Sequence, residues 1–226
     1  MKLLLIRHGH PDYRLDCLTK LGHAQAEQVR KRLENEKIDS ILSSSCGRAY
    51  ETALHVASPR GMEVTKSDSF RELSWGPVEG SAHAFSYSPW DQAVQTVRDG
   101  LPLDESAPLF LANTIGQSVR RVAEGIDGWL STVGYPREGA YYRCERASND
   151  TVALFAHAGA FTALLSHVLN VPFPQAVQCF HLEFTSVSAL YFDVREGVLT
   201  APRLTLLNDA RHIECIESPA AFDIRK

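Results

Sequence analysis

The stretch Leu3-Leu4-Leu5-Ile6-Arg7-His8-Gly9 decides the fold of this 226-residue chain. Four consecutive aliphatic residues predict a strand that is buried on both faces, as in a parallel sheet covered by helices. A cation, an imidazole and a glycine then stand where the strand ends, and ligands of open α/β sheets bind beyond the carboxyl ends of the strands. Gly9 allows a sharp turn or a close backbone approach to a ligand. The stretch therefore predicts an α/β fold with Arg7 and His8 at a functional site.

The composition is that of a globular protein, with 44% apolar residues, 22% charged residues and a formal net charge of -4. Because there is no basic stripe, nucleic acid is not expected as a partner. No segment approaches the ~20 apolar residues of a membrane span, and the N-terminal apolar run is too short for a signal peptide. We therefore expect a cytoplasmic protein with no membrane partner. The five cysteines form no C-x-x-C pair, which favours reduced thiols over disulfides or a zinc knuckle.

Strand and helix patterns alternate along the chain. Apolar runs predict strands, and apolar positions at helical spacing predict helices between them. After the first strand, strands are expected near residues 38–42, 64, 151–156, 187–194 and 204–207, and helices near residues 24–33, 48–57, 116–130 and 161–169. This order predicts a single domain over residues 1–226. We expect a three-layer α/β/α sandwich around a mostly parallel, doubly wound sheet, with the last two strands as an antiparallel edge.

Residues from about 74 to 113 interrupt this alternation. Prolines punctuate the segment and aromatic residues recur in it, among them Trp75, Tyr87 and Trp90. A long segment without regular sheet signals is often an insertion over an active site. We therefore expect it to cover the site, with its aromatic residues either lining a substrate lid or packing the insertion down.

Five polar residues occupy comparable places in the predicted sheet. Arg7 and His8 follow the first strand, and Arg48 begins the helix after the second. Glu72 precedes the insertion, and His157 follows the strand over residues 151–156. Because strand ends that are far apart in sequence meet at one edge of a doubly wound sheet, these side chains are expected to share one pocket.

Such a set of side chains suits phosphoryl transfer. Two guanidinium groups match the geometry of phosphoryl oxygens and stabilise their negative charge. A neutral imidazole can attack phosphorus, and nearby arginines disfavour its protonation. A carboxylic acid can protonate the leaving oxygen and then take a proton from water. Since the cations do the work that Mg²⁺ does in other phosphoryl-transfer enzymes, neither a metal nor a cofactor is expected.

The same residues carry a resemblance to a known family. The chain is similar to the histidine phosphatase superfamily, in the branch that includes cofactor-dependent phosphoglycerate mutases and their phosphatase relatives. The matching stretches cover most of the chain: Arg7-His8-Gly9 for R-H-G, Leu18-Thr19 with Gly22 and Gln25-Ala26 for L-T-x-x-G-x-x-Q-A, Ser43-Ser44 to Arg48-Ala49 and Thr52-Ala53 for S-x-x-x-R-A-x-x-T-A, Glu72, Gly76 and Gly80 for E-x-x-x-G-x-x-x-G, Gly116-Gln117-Ser118 for G-E-S, His157-Ala158-Gly159 for H-G, and Asn208 to His212 for N-x-x-x-H.

The resemblance implies a phosphoglycerate mutase-like fold and a metal-independent phosphatase that acts through a phosphohistidine on His8. It implies Arg7, Arg48 and His157 as phosphate-binding residues and Glu72 as the proton donor. Glu79 lies in the same region and is the alternative acid, although the spacing favours Glu72. The implied substrate is a small phosphorylated metabolite. The sequence contains no signal for which metabolite this is, or for the oligomeric state of the protein.

The chain departs from the mutase pattern in three places. His10 follows Gly9, Arg14 stands where mutases have an asparagine, and no F-T-G-W-like stretch is present. These differences favour a phosphatase over a mutase, which must hold a bisphosphate. A non-catalytic phospholigand-binding protein is a third interpretation, disfavoured because all five site positions are filled.

Two further expectations concern residues beside this set. Arg14 is a candidate substrate-binding residue for a second anionic group, or else a solvated loop arginine. The other histidines show no metal-ligand spacing, so a metal site is not expected.

Overall fold

Strands and helices alternate along the described part of the chain. The computed structural model describes residues 1–74, 98–100 and 114–216. Their strands are β1 (Lys2–Arg7), β2 (Pro11–Asp12), β3 (Cys17–Leu18), β4 (Ser40–Ser44), β5 (Val64–Ser67), β6 (Arg137–Glu138), β7 (Tyr141–Arg143), β8 (Thr151–Ala156), β9 (Val187–Tyr191), β10 (Leu199–Thr200) and β11 (Arg203–Asp209). Their α-helices are α1 (Lys20–Arg32), α2 (Gly47–Ala57), α3 (Ile115–Thr132), α4 (Ala158–Leu169) and α5 (Phe173–Cys179).

The main sheet has the strand order β11-β9-β1-β8-β4-β5. Strands β1, β8, β4 and β5 run parallel, with Leu3 opposite Val152 and Ile41 opposite Ala153. Strand β9 runs antiparallel to β1, and β11 runs antiparallel to β9. The predicted mostly parallel sheet with an antiparallel edge is therefore confirmed.

Each face of the sheet packs against its own set of helices. Because side chains alternate across a strand, Leu3 and Leu5 enter a core with α3 and α4, whereas Leu4 and Ile6 enter a second core with α1 and α2. All four side chains are at most 2% exposed, and burying a side chain of this size contributes roughly 1.5–3 kcal/mol. These two cores confirm the three-layer α/β/α arrangement.

The helix boundaries differ from the predicted ones at their N-termini. Helix α1 begins four residues earlier than predicted, because the Thr19 side chain accepts a hydrogen bond from the Gly22 N–H and caps the first turn. Helix α4 begins at Ala158 rather than Phe161, directly after the extended residue His157. The small residues from Ala158 to Ala160 carry no periodic apolar signal, so the sequence pattern does not reveal the first turn of α4.

Several short elements were not predicted. Strands β2 and β3 form a hairpin, strands β10, β7 and β6 form a small second sheet, and α5 follows α4. The turn of the β2–β3 hairpin lies beside the start of α2, where the Asp16 carboxylate accepts a hydrogen bond from the Gly47 N–H.

Most of the predicted insertion lies outside the described residues, including Trp75, Tyr87 and Trp90 and the alternative acid Glu79. The single-domain organisation and the covering role of the insertion therefore stay predictions. None of the described helices has the length and apolar character needed to cross a bilayer.

Candidate active site

Apart from Arg14, the predicted site residues lie together near the carboxyl ends of β1, β4 and β8. The His8 N–H donates to the Ala156 carbonyl at 2.9 Å, which ties the end of β1 to the end of β8. Gly9 lies so close to α1 that a Cβ atom there would stand 2.6 Å from the Gly22 carbonyl oxygen. The chain can therefore turn tightly after His8 only because residue 9 has no side chain.

His8 is buried and held in one tautomer. Its Nδ1 lies 2.7 Å from the Gly9 carbonyl oxygen, and since a carbonyl only accepts, Nδ1 carries the proton. The Nε2 atom therefore keeps its lone pair. Burial, followed by the charge of Arg7, holds the pKa of His8 well below its usual value of 6.5. The arrangement presents a neutral imidazole with an unprotonated Nε2.

Arg48 lies in the first turn of α2, with its guanidinium beside this imidazole. Its Nε donates to His8 Nε2 at 3.4 Å, and its Nη1 forms an ion pair with Asp16 at 2.5 Å. Thr52 fixes the backbone around the pair, because its hydroxyl accepts from the Gly9 N–H and donates to the Arg48 carbonyl. The first turn of α2 and the loop after β1 are thus joined directly.

Arg7 lies on the other side of His8, against an aromatic ring. Its guanidinium carbon lies 4.0 Å from the centroid of Phe184, and Nη1 donates to the Leu182 carbonyl. Within the described part of the chain, its buried Nε has no hydrogen-bond partner. Burial lowers the pKa of Arg7, but a guanidinium stays protonated at neutral pH. A fixed cation with a spare donor therefore flanks the imidazole.

His157 completes the pocket from the end of β8. It is fully buried, its ring centroid lies 5.1 Å from that of His8, and its Nε2 lies 2.9 Å from the Ser44 hydroxyl. Its Nδ1 has no partner among the described residues. Burial is the main cause that holds its pKa well below 6.5, and the nearby charges of Arg48 and Arg7 add to the effect. Ser44 thus holds one side of the ring and leaves the other nitrogen available to a ligand.

Glu72 lies against the start of α4. Its Oε1 accepts from the Leu73 N–H at 2.9 Å and from the Ala160 N–H in the first turn of α4 at 3.1 Å. Burial raises the pKa of Glu72, although these two hydrogen bonds and the charges of Arg7 and Arg48 oppose the rise. The environment therefore favours the protonated acid more than water does.

The sequence profile of the histidine phosphatase superfamily (branch 1) matches residues 3–205. The chain belongs to this superfamily. The match confirms the resemblance drawn from the motifs and the enzyme class that they imply, a phosphoric monoester hydrolase of the histidine phosphatase type.

Curated relatives of this histidine phosphatase include phosphatases and mutases. Phosphoserine phosphatase 1 of Hydrogenobacter thermophilus is 25% identical over 218 residues, which cover 91% of this chain and 93% of the relative. Putative phosphoserine phosphatase 2 of the same organism is 33% identical over 125 residues, 48% of this chain and only 61% of that protein. The probable phosphoglycerate mutase GpmB of Yersinia enterocolitica is 23% identical over 224 residues, 95% of each chain.

A solved structure supports the fold. A phosphoserine phosphatase variant from Entamoeba histolytica, crystallised with phosphoserine, aligns with a TM-score of 0.66 and 22% identity over 94% of this chain and 98% of its own. At 22% identity this structural similarity bears on the fold alone, and it establishes that this histidine phosphatase has a phosphoglycerate mutase-like fold.

Arg14 lies apart from the cluster. It is exposed on the turn of the β2–β3 hairpin, its backbone N–H donates to Asp12, and its guanidinium makes no hydrogen bond or ion pair within the described residues. Its neighbour Tyr13 lies closer, with the ring centroid 5.4 Å from the Arg48 guanidinium carbon. A substrate contact for Arg14 stays a prediction.

Sequence reasoning missed Asp16 as a residue of this site. No periodic or motif signal marked it, because its contact with Arg48 depends on the path of the hairpin turn. Ser44 and Thr52 belonged to the quoted motif S-x-x-x-R-A-x-x-T-A, and their contacts with His157 and Gly9 give a physical reason for those motif positions.

Two histidines outside the site come together although their sequence spacing gave no sign of it. His23 Nδ1 and His55 Nε2 lie 3.1 Å apart across α1 and α2. Even so, within residues 1–74, 98–100 and 114–216 no group of three or more His, Cys, Asp or Glu side chains is arranged to hold a metal ion.

Proposed function

We propose that this histidine phosphatase hydrolyses a small phosphomonoester without a metal ion, through a phosphohistidine on Nε2 of His8. The observation that carries the proposal is the buried, neutral His8, whose Nδ1 is occupied and whose Nε2 faces the Arg48 guanidinium. A group that must attack phosphorus needs an unprotonated nitrogen, and this environment keeps one available.

In the first step Nε2 of His8 attacks phosphorus, and the bond from phosphorus to the leaving oxygen breaks. The guanidinium groups of Arg7 and Arg48 and the free Nδ1 of His157 bind the phosphoryl oxygens, whose charge they stabilise. Glu72 gives its proton to the leaving oxygen as the alcohol departs. Its raised pKa supports this role, because an acid catalyst must be protonated when it acts.

In the second step a water molecule attacks the phosphohistidine. Glu72, now a carboxylate, takes a proton from this water, and the phosphorus–Nε2 bond breaks. The products are inorganic phosphate, neutral His8 and protonated Glu72. The cycle therefore balances with water as the only second substrate.

Hydrolysis of p-nitrophenyl phosphate by the purified protein tests the proposal. We expect activity that EDTA does not reduce and that His8→Ala abolishes, with a phosphoryl adduct on the wild-type protein after a quench at alkaline pH. His181→Ala is the matched control, because His181 is exposed and pairs with Glu183 outside the site. Full activity of His8→Ala contradicts the mechanism.

A panel of phosphomonoesters tests the substrate class. Phosphoserine, 3-phosphoglycerate and sugar phosphates are the first compounds, since phosphoserine and phosphoglycerate occur in the names of the relatives. Isomerisation of a phosphoglycerate that needs a bisphosphate primer and outpaces hydrolysis would identify a mutase instead. Phosphate binding without turnover would identify a phospholigand-binding protein.

A further inference from the structure

Asp16 holds both the start of α2 and the side chain of Arg48. One carboxylate oxygen, Oδ1, pairs with Arg48 Nη1, and the other, Oδ2, accepts from the Gly47 N–H at 2.8 Å. Gly47 is the first residue of α2, so the same carboxylate caps the helix and binds the arginine that follows.

The backbone of Asp16 is adapted to this position. Its φ is 51°, in the left-handed region that residues with a side chain adopt only at a cost. A Cβ atom on Gly47 would overlap the Asp16 carbonyl oxygen. The hairpin turn and the start of α2 thus meet backbone to backbone, which leaves the Asp16 carboxylate little freedom.

This contact fixes the orientation of a planar group. A guanidinium is rigid, so holding Nη1 and the backbone of Arg48 sets the direction of its other donors. In this orientation Nε faces His8 Nε2, and Nη2 makes no hydrogen bond within the described residues. The arginine therefore presents donors on the side where His8 presents its lone pair.

We propose that Asp16 is a positioning residue for phosphoryl transfer, which acts through Arg48 and not through direct contact with the substrate. The proposal rests on the function proposed above. Its carboxylate places negative charge near a pocket for a phosphate dianion, so it lowers the positive potential of the pocket. Its benefit lies in the fixed guanidinium, because small displacements of a substrate-binding group reduce rates strongly.

A double-mutant cycle tests this proposal. Asp16→Asn keeps a side-chain oxygen that can cap Gly47 but loses the charge that holds Arg48. We expect kcat/KM to fall about 10- to 100-fold in the wild-type background. In an Arg48→Ala background the same substitution is expected to change kcat/KM less than about twofold, since coupled residues are non-additive.

Asp12→Asn is the matched control. Asp12 lies in the same hairpin and its carboxylate accepts from the Arg14 and Leu15 N–H groups, but it does not contact Arg48. We expect it to retain near wild-type kcat/KM. Thermal unfolding of each variant separates a loss of activity from a loss of the folded state.

Binding of inorganic phosphate, measured by calorimetry in the same four proteins of the cycle, gives a readout besides activity. Weaker phosphate binding by Asp16→Asn only when Arg48 is present supports the proposal. Two results overturn the proposal. One is an equal loss of phosphate affinity in both backgrounds, and the other is that Asp16→Asn lowers neither kcat/KM nor phosphate affinity when Arg48 is present. If the wild-type protein hydrolyses no phosphomonoester, the proposed function fails, and the binding cycle alone decides the role of Asp16.

Discussion

The Nε atom of Arg48 lies 3.4 Å from Nε2 of His8, so the guanidinium faces the lone pair of the imidazole. Burial is the main cause that opposes protonation of the ring, and the positive charges of Arg7 and then Arg48 oppose it further. In the proposed mechanism, the Arg48 cation that disfavours protonation of the imidazole also lies next to the incoming phosphate.

The pH dependence of activity follows from the lowered pKa of His8. An ordinary imidazole is largely protonated below pH 6.5, whereas His8 is expected to stay neutral and reactive there. We expect kcat/KM, corrected for ionisation of the substrate, to stay high below pH 6.5 and to fall only at more acidic values. A loss of activity on acidification with a midpoint at or above pH 6.5 would contradict a neutral His8.

Glu72→Gln should impair catalysis more for poor leaving groups than for good ones. Glutamine keeps an oxygen that can accept from Leu73 and Ala160 but cannot donate a carboxylic proton, so the fold is retained and acid catalysis is lost. We expect kcat for an alkyl phosphomonoester that the panel identifies as a substrate to fall about 10²- to 10⁴-fold, and kcat for p-nitrophenyl phosphate to fall less. Glu79→Gln is the parallel variant, because Glu79 is the alternative acid, and a larger effect there would reassign the proton donor.

Ser44→Ala should disturb His157 without removing it. The substitution leaves the buried Nε2 of His157 without its partner at 2.9 Å, and an unsatisfied buried polar atom costs about 1–3 kcal/mol. We expect lower stability in urea unfolding and weaker phosphate binding, since the ring is free to turn. Ser166→Ala is the control, because Ser166 donates to a loop carbonyl at the far end of α4. Unchanged phosphate affinity in Ser44→Ala would exclude this orienting role.

Acid should destabilise the fold as pH drops below 6.5. Burial lowers the pKa values of His8, His157 and His212, so the unfolded chain binds protons near pH 6.5 that the folded chain resists. Stability from these groups is therefore fully present above pH 6.5 and is lost as pH falls toward their folded values. Urea unfolding at several pH values measures the slope, which His212→Gln should reduce. An increase in the free energy of unfolding on acidification from pH 6.5 would contradict this prediction.

Two glycines in different environments should respond oppositely to alanine. A Cβ atom on Gly22 would overlap the His10 carbonyl oxygen, so Gly22→Ala must shift the loop that follows His8. We expect lower stability and lower activity together. Gly128 lies within α3 with open space around it, and Gly128→Ala should stabilise by roughly 0.5–1 kcal/mol with unchanged activity. Thermal and urea unfolding of both variants check the contrast.

The sequence predicted the parts of this molecule that depend on local pattern. The apolar run before Arg7 and the run before His157 were sufficient to place two parallel strands, and the rule that strand ends converge then brought both residues to one edge. The position of Glu72 came from motif spacing, and its contact with α4 shows why that spacing suits the fold.

The missed features depend on how separate elements approach each other. Asp16 reaches Arg48 through a turn with a positive φ, and His23 meets His55 only because α1 and α2 pack in one particular rotation. Neither relationship leaves a periodic trace in a single chain. Helix α1 begins earlier than the apolar pattern predicts, because its first turn is stabilised by the Thr19 side-chain hydrogen bond and not by apolar residues.

Strand β1 contributes side chains to two separate hydrophobic cores, and each core supports a different side of the pocket. Leu4 belongs to the core beneath the helix that carries Arg48, whereas Leu5 belongs to the core beneath the helix that begins beside His157. Truncating the side chain of Leu4 should loosen the Arg48 side of the pocket and leave the His157 side unchanged. Truncating Leu5 should have the opposite effect. Neighbouring residues of a single strand therefore offer separate mutation sites for altering the Arg48 side and the His157 side of the pocket.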